Sequence, residues 1–362
     1  MLIRRLRVAS LRRFGEAELE PGPGFNLIVG DNGSGKTSLL EAMHLMAHGR
    51  SFRGRVRDGL IRRGDPALEV FLEWQADGLA VHRGGLRHAG GHWEARIDGQ
   101  SIGHLGELCR ALAVVTFEPG SHALVDGGSE TRRRFLDWGL FHVEPAFLEH
   151  WRRYSRALKQ RNTLLRMGRA DPQLDAWEHE LAWAGEALHR HRASYVAQLG
   201  PFFEATMAQL LPAAGIATLA LHAGWRQQEM PLADALLLAR GRDLAVGHTS
   251  TGPHRADLRL MLQDLPGREG LSRGQAKLTA LGLLLAQAQH LAQFDGQWPV
   301  LQLDDLASEL DRRHQRRLLE LLAGTGAQVF ITGTEPPGAM AELELEPRMF
   351  HVEHGRVVPA PS

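Results

Sequence analysis

Gly30-Asp31-Asn32-Gly33-Ser34-Gly35-Lys36-Thr37 fits the pattern G-x-x-x-x-G-K-[ST]. Its glycines let a backbone curl around phosphates, and its amides would point inward at a helix N-terminus, where the peptide dipoles favour anions. Lys36 would reach the β- and γ-phosphates of a nucleotide, and the Thr37 hydroxyl would ligate Mg²⁺. Leu301-Gln302-Leu303-Asp304-Asp305 is a short apolar run ending in two acids. Beside a phosphate loop, Asp304 would hold the Mg²⁺ through water, and Asp305 would orient or deprotonate an attacking water. Ser308-Glu309-Leu310-Asp311 follows at once. Ser308 and Asp311 are also good helix caps, so a purely structural reading stands beside a functional one. Leu271-Ser272-Arg273-Gly274-Gln275 opens a helical stretch 32 residues before Asp304, counting from Ser272. A Ser and a Gly there make a second phosphate cradle, too far along the chain to serve the same nucleotide easily.

These groups need elements to hold them. Residues 2–30 read as two or three short strands, the last being Phe25-Asn26-Leu27-Ile28-Val29 before Gly30. Thr37 to Met46 has helical spacing, with Leu39, Leu40, Met43 and Met46 on one side. Residues 65–117 read as short strands with Gly-rich turns. Phe147, Trp151, Tyr154 and Leu158 step by 4, 3 and 4, and Leu174 to Tyr195 continue at 3 or 4 after the break at Gly168 to Pro172. That predicts two antiparallel helices, a hairpin too short for a long coiled-coil arm. Alternation returns near residue 245, with a helix over Gly274 to Phe294, a buried strand over Pro299 to Asp304, a helix over Arg312 to Leu322 and a strand over Val329 to Thr332. The expected fold is therefore α/β: one domain from residues 1–120 and 245–362, and a helical insertion over 121–244.

Composition narrows the class. The 362 residues are 43% hydrophobic and 23% charged, as in globular proteins. Lys+Arg and Asp+Glu are both 42, so a polybasic protein is excluded, though a local basic patch is not. Cys109 is the single cysteine, which excludes an intramolecular disulfide and a cysteine-based zinc site. No apolar run is long enough to span a membrane, and the chain reads as cytoplasmic. Arg50, Arg53, Arg55, Arg57, Arg62 and Arg63 face a single Asp58 in their segment. They are candidate contacts to nucleic-acid phosphates, with Arg132, Arg133 and Arg134 as a second set. The alternative for both is a solvated or ion-paired face.

The order of phosphate loop, Ser272 segment, Asp304-Asp305 and Ser308 to Asp311 resembles the ABC/SMC ATPase superfamily. Further segments resemble its RecF family: Gly49-Arg50-Ser51-Phe52-Arg53, Arg132 to Asp137, Leu158-Lys159-Gln160-Arg161-Asn162, Gly252 to Leu258 and Leu303 to Asp311. The resemblance runs essentially end to end. It implies an ABC-type ATPase head, a P-loop sheet with an N-terminal antiparallel β-subdomain, carrying an inserted α-helical lobe. It implies ATP and Mg²⁺ as ligands, with Gly30 to Thr37 and Ser38 around the nucleotide and Lys36, Asp304 and Asp305 as catalytic residues. Ser272, Arg273, Gly274 and Gln275 would act in trans, as the signature facing a partner subunit's ATP in an ATP-dependent homodimer, with Ser308 and Asp311 in the adjoining D-loop. The implied partners are single-stranded and gapped duplex DNA, RecR and RecO, and indirectly RecA. The implied roles are DNA repair, replication restart and the SOS response. Asp305 stands where the superfamily usually has Glu, and a shorter carboxylate predicts slow hydrolysis; the resemblance implies that DNA stimulates it. The usual switch His is absent after Phe330-Ile331, leaving Thr334 as one candidate γ-phosphate sensor, and Glu118 is the candidate for the Gln-loop position. The alternative function is the motor subunit of a transporter, which the long Lys36–Ser272 gap disfavours.

Overall fold

The computed structural model describes residues 1–54, 59–76, 78, 80–168, 172–265, 267 and 270–359. In chain order its elements are β1 (Leu2–Leu11), β2 (Phe14–Leu19), β3 (Phe25–Val29), α1 (Lys36–His48), β4 (Ala67–Ala76), β5 (Ala80–Ala89), β6 (His92–Ile97), β7 (Gln100–Ser101), α2 (Leu105–Ala111) and β8 (Val114–Phe117). Then come α3 (Ser129–Val143), α4 (Phe147–Arg166), α5 (Pro172–Leu210), β9 (Ala217–His222), α6 (Leu232–Val246), β10 (Asp257–Leu262) and α7 (Arg273–Asp295). The chain closes with β11 (Val300–Leu303), α8 (Leu306–Glu309), α9 (Arg312–Ala323), β12 (Val329–Gly333), α10 (Gly338–Glu342), β13 (Arg348–Glu353) and β14 (Arg356–Pro359).

Two compact units emerge. One holds Met1–Ser121 and Leu291–Ser362, the other His122–His290. Residues 245–290, expected with the first unit, pack in the second. The reason is α7: the Gln287 amide donates to the Phe135 carbonyl and the Tyr195 hydroxyl, both at 3.0 Å, and Thr206 donates to Gln289 at 3.1 Å.

The first unit has two sheets. One is antiparallel, in the order β2-β1-β4-β5-β6-β7, and the other is mixed, in the order β14-β13-β3-β12-β11-β8. In the second, β8, β11, β12, β3 and β13 run parallel. β11 and β12 are buried at every position, as parallel strands covered on both faces are. The core between them takes Ile3, Leu6, Phe14, Trp74, Leu39, Met43, Met46 and Val114. α1 differs from the one-sided helix its spacing predicts: it is buried from Ser38 through Ala47, including Glu41 and His44. Gly49, at φ 64°, ends it by donating to the Leu45 carbonyl at 2.9 Å.

In the second unit α4 packs along α5. Of the predicted seam, Phe147, Tyr154, Leu174, Leu181, Ala184, Leu188 and Tyr195 are buried. Trp151 is 40% exposed, its indole turned instead to the Asp137 carboxylate. Among the described residues, no helix is long and apolar enough to cross a membrane.

Candidate functional site

Four parallel strands of the first unit end side by side. Leu303 is in register with Phe117 and with Ile331, and Val29 with Gly333. The residues at these strand ends are therefore neighbours: Gly30, Glu118 and Asp304 just past β3, β8 and β11, and Thr332 one residue before the end of β12. Ligands of open α/β sheets bind at this carboxyl edge. A cavity of about 800 Å³ opens here, lined by Asn32, Gly33, Gly35 to Ser38, Arg12, Arg13, Phe52, Arg53, Glu118, Asp304, Asp305 and Thr332.

The loop after β3 has the backbone a phosphate cradle requires. Gly30 sits at φ 155° and Gly35 at φ 124°. A Cβ on Gly30 would lie 2.2 Å from the Val352 carbonyl oxygen, and one on Gly35 would lie 2.7 Å from the Phe14 ring. Only glycine fits at either position. Lys36 bends back over the loop, its ammonium donating to the carbonyls of Gly30 at 2.6 Å and Asp31 at 2.9 Å. Burial lowers its pKa, and Asp305, Asp304 and Asp31 oppose that. Among the described residues Ser34 Oγ is buried without a hydrogen-bond partner, a polar atom that a bound phosphate oxygen would satisfy.

The acids lie opposite. Thr37 Oγ1 donates to Asp304 Oδ1 at 2.9 Å, and Thr332 Oγ1 donates to the same oxygen at 2.7 Å. Burial raises the pKa of Asp304, the two hydroxyls lower it, and Asp305 raises it further. A buried carboxylate with raised proton affinity, next to a threonine hydroxyl, is an all-oxygen donor set for a hard cation. That suits Mg²⁺ completed by phosphate oxygens and water. Asp305 is held at φ 52°, an uncommon conformation for a non-glycine residue, with its amide donating to Thr332 Oγ1 at 2.8 Å. The side chains of Lys36, Thr37, Asp304 and Asp305, separated by 267 residues at the widest hydrogen bond, thus share one cavity.

Other expected residues fall differently. Glu118 lines the cavity. Thr334 is exposed and lies outside its lining; Thr332, two residues earlier, is the hydroxyl that bonds the Asp304 carboxylate and the Asp305 amide. The signal for Thr332 was its place in β12 one residue past the pairing of Ile331 with Leu303, beside Asp304. Arg12 and Arg13 line the cavity too, with no motif to mark them. Arg12 donates to the fully buried Glu41 at 2.7 Å, and Ser51 bonds the same carboxylate.

Ser272, Arg273 and Gly274 lie exposed at the start of α7, in the second unit. Ser272 and Gln275 form a capping box: the Ser272 amide donates to Gln275 Oε1 at 2.9 Å, and the Gln275 amide to Ser272 Oγ at 3.3 Å. Asp311 caps α9 by accepting from the His314 amide at 3.0 Å, and Ser308 Oγ donates to the Asp305 carbonyl at 3.2 Å. Both are exposed.

The arginine segments separate as well. Arg55 and Arg57 lie outside the described residues. Arg53 lines the cavity and its charge lowers the pKa of Asp304. Arg50, Arg62 and Arg63 are exposed, Arg62 standing 4.0 Å from Asp65. In the second set Arg134 is exposed beside Glu130, while the other two are tied into the fold. Arg132 is buried and grips Asp257 at 2.6 Å, and Arg133 donates to the Ala256 carbonyl at 2.7 Å.

Comparison with known proteins places this arrangement. Residues 2–356 match the family model of the RecF/RecN/SMC N terminal domain. The DNA replication and repair protein RecF of Stenotrophomonas maltophilia is 60% identical over all of both chains. That of Xanthomonas euvesicatoria is 57% identical over 99% of this chain and 98% of the relative, and that of Shewanella baltica 40% identical over 99% of each. The solved structure of the recombination mediator protein RecF with ATP, in the RecFOR pathway, superposes with a TM-score of 0.88 at 25% identity, covering 99% of this chain and 98% of that one. An SMC head bound to the C-winged helix domain of ScpA shares the fold, with a TM-score of 0.61 at 16% identity. The fold class expected from the motifs is thus found, and the chain belongs to the RecF family within the RecF/RecN/SMC group of ATPase heads.

Proposed function

We propose that this chain is an ATP-dependent, DNA-binding recombination mediator of the RecFOR pathway. The observation that carries the reading is the shared cavity: a glycine cradle and Lys36 on one side, and the Thr37–Asp304 pair on the other. ATP binds along Gly30 to Ser38. Mg²⁺ is held by Thr37, Asp304 and phosphate oxygens. Asp305, aided by its fixed backbone, orients or deprotonates the attacking water. Its short side chain makes hydrolysis slow, so the nucleotide acts as a switch. The first unit serves as the ATPase head and the second as the helical lobe. The exposed Ser272 to Gln275 segment, with Ser308 and Asp311, meets the nucleotide of a second copy in an ATP-dependent homodimer. Acting with RecO and RecR at gaps, the dimer helps load RecA, and through that serves repair, replication restart and SOS induction. The RecF family membership and the ATP-bound relative support this assignment.

The DNA surface rests on a basic face of α4. Arg152, Arg156, Lys159 and Arg166 are exposed and recur at helical spacing on the side opposite the buried Tyr154, Ala157 and Arg161. Among the described residues none of the four is within 4.0 Å of a carboxylate, whereas Arg153, beside them, is paired with Glu180. A one-signed face of this kind suits a phosphate backbone and reads no sequence. Arg50, Arg62 and Arg63 supply further cations for the same backbone.

The test is the ATPase rate with and without gapped DNA, beside Lys36→Met. DNA stimulation lost in Lys36→Met is expected. Hydrolysis indifferent to DNA would overturn the DNA-coupled reading and revive a transporter-like motor. Sedimentation with saturating ATP and Mg²⁺ should give a dimer; a monomer removes the in-trans role of Ser272. Replacing Arg152, Arg156 and Lys159 by Ala should flatten the slope of log affinity against log salt, by about 0.9 for each duplex phosphate no longer neutralised.

A further inference from the structure

Beneath the cavity runs a closed polar circuit. His44 of α1 is 7% exposed, and Gln302 of β11 is fully buried. His44 Nδ1 lies 3.0 Å from Thr116 Oγ1 of β8, and Thr116 Oγ1 donates to Gln302 Oε1 at 2.8 Å. Gln302 Nε2 then donates to the Leu40 carbonyl at 3.2 Å, one turn before His44 on the same helix. The direction of every bond follows from donor counting. The Leu40 carbonyl accepts only, so Gln302 must present Nε2 to it and Oε1 to Thr116. The single Thr116 hydroxyl hydrogen goes to that oxygen, so His44 Nδ1 must carry a hydrogen and donate. His48 stacks on His44 with ring centroids 3.9 Å apart, and its Nε2 must donate to the Val114 carbonyl at 2.9 Å. Burial keeps both rings neutral.

The circuit has a place in the site. Thr37 and His44 are seven residues apart, on one face of α1. Asp304 is two residues beyond Gln302, and Glu118 is two beyond Thr116. The Thr37–Asp304 bond and the His44–Thr116–Gln302 bonds are therefore successive ties between the same helix and the strands that deliver the acids. Phe52, which lines the cavity, meets the His44 ring edge-on at 5.0 Å.

We propose that His44 and Thr116 are positioning residues, acting through Gln302 to fix the helix bearing Lys36 and Thr37 against the strands bearing Asp304 and Glu118. This rests on the reading of the cavity as an ATPase site. Nucleotide is gripped chiefly by the loop amides and Lys36. Loosening the circuit therefore spares binding and misplaces the acids, a displacement that costs up to about a hundredfold per ångström in rate.

The test is Thr116→Val, which keeps the branched shape and removes the hydroxyl, with Thr116→Ser beside it. In Thr116→Val, kcat should fall about tenfold or more while the equilibrium Kd for ATP stays within about twofold; Thr116→Ser should restore kcat. An unchanged kcat, or a parallel loss in Kd, overturns the proposal. Long-range proton–nitrogen spectra of the wild-type protein give a second readout that needs no turnover. His44 must appear as the neutral Nδ1–H tautomer, and an Nε2–H form overturns the circuit even if Thr116→Val fails to fold. Failure of the ATPase reading is separate: it would show as wild-type protein without Lys36-dependent hydrolysis, whatever the tautomer.

Discussion

The cavity of the first unit and the helical pack of the second both bury charge, and they do so in opposite ways. In the helical pack each buried charge is closed off. Arg161, fully buried, donates to Glu178 at 2.9 Å, to Asp243 at 2.8 Å and to Thr249 at 2.8 Å. Arg192 holds both oxygens of Asp137 at 2.8 Å. In the cavity the charges stay open. Among the described residues the Lys36 ammonium bonds carbonyls, with its pKa lowered, and the Asp304 carboxylate bonds hydroxyls, with its pKa raised. Neither is ion-paired among the described residues, although the acids and Arg53 act on them from a distance, and a nucleotide with a divalent cation supplies both partners. Closed charges fix a structure, whereas open ones wait for a ligand.

Substitution of Arg161 tests the closed side and carries the largest expected effect. Arg161→Ala leaves Asp243 fully buried without its cation, while Glu178 keeps Arg240, and should lower unfolding free energy by about 3–5 kcal/mol in urea titration. A loss below about 1 kcal/mol would erase the contrast, since it would mean that water repairs the helical pack as easily as the cavity.

Acid tests the buried histidines next. Burial lowers His48 from 6.5 to about 4 and holds His44 well below its ordinary value too. Between those limits the folded chain binds fewer protons than the unfolded one, so stability is complete above pH 6.5 and falls as pH drops toward 4. His48 alone accounts for about 3 kcal/mol over that window. His44→Phe with His48→Phe should make the profile between pH 6.5 and 4 shallower, His254, which burial likewise lowers to about 4, keeping its share; a profile of unchanged slope would place the acid sensitivity elsewhere.

Much of the cavity was legible because its chemistry is local in sequence. Gly30 to Thr37 must be contiguous to curl, and Asp304 must end an apolar strand. Thr332 was missed because its role comes from sheet register, which no single segment encodes. The circuit of His44, Thr116 and Gln302 was hidden for a related reason. A polar residue inside an apolar run looks like a surface position until three elements are brought together. The helical hairpin was legible from its 3- and 4-residue steps, but Arg161 and Glu178 interrupt its apolar pattern, and only the packed helices show them as partners. The strands of 65–117 were expected, yet α2 was not, since seven residues are too few to establish a helical period.

Lys36→Met separates stability from function. The methionine keeps the length of the stem and removes a buried ammonium whose pKa burial already lowers. Relief of that burial offsets the two missing carbonyl bonds, so unfolding free energy should change by less than about 1 kcal/mol while hydrolysis is lost. Strong destabilisation would mean that Lys36 is a closed charge like Arg161, and the open-site interpretation of the cavity would fall.

Neighbouring arginines of α3 give the finest test and the smallest effect. Arg132 and Arg134 belong to one basic run in the sequence. Arg132 is buried against Asp257, with further bonds to the carbonyls of Leu124, Val125 and Gly127. Arg134 is exposed and pairs with Glu130 one turn earlier. Arg134→Ala should cost no more than about 0.5 kcal/mol, the range of a solvated i,i+4 pair, and should leave the salt dependence of DNA binding unchanged. Arg132→Ala, two positions away, removes a buried cation from four acceptors and should cost several times more. Equal costs would mean that a charge in the helical unit is settled by its place in the sequence rather than by the partners packing brings to it.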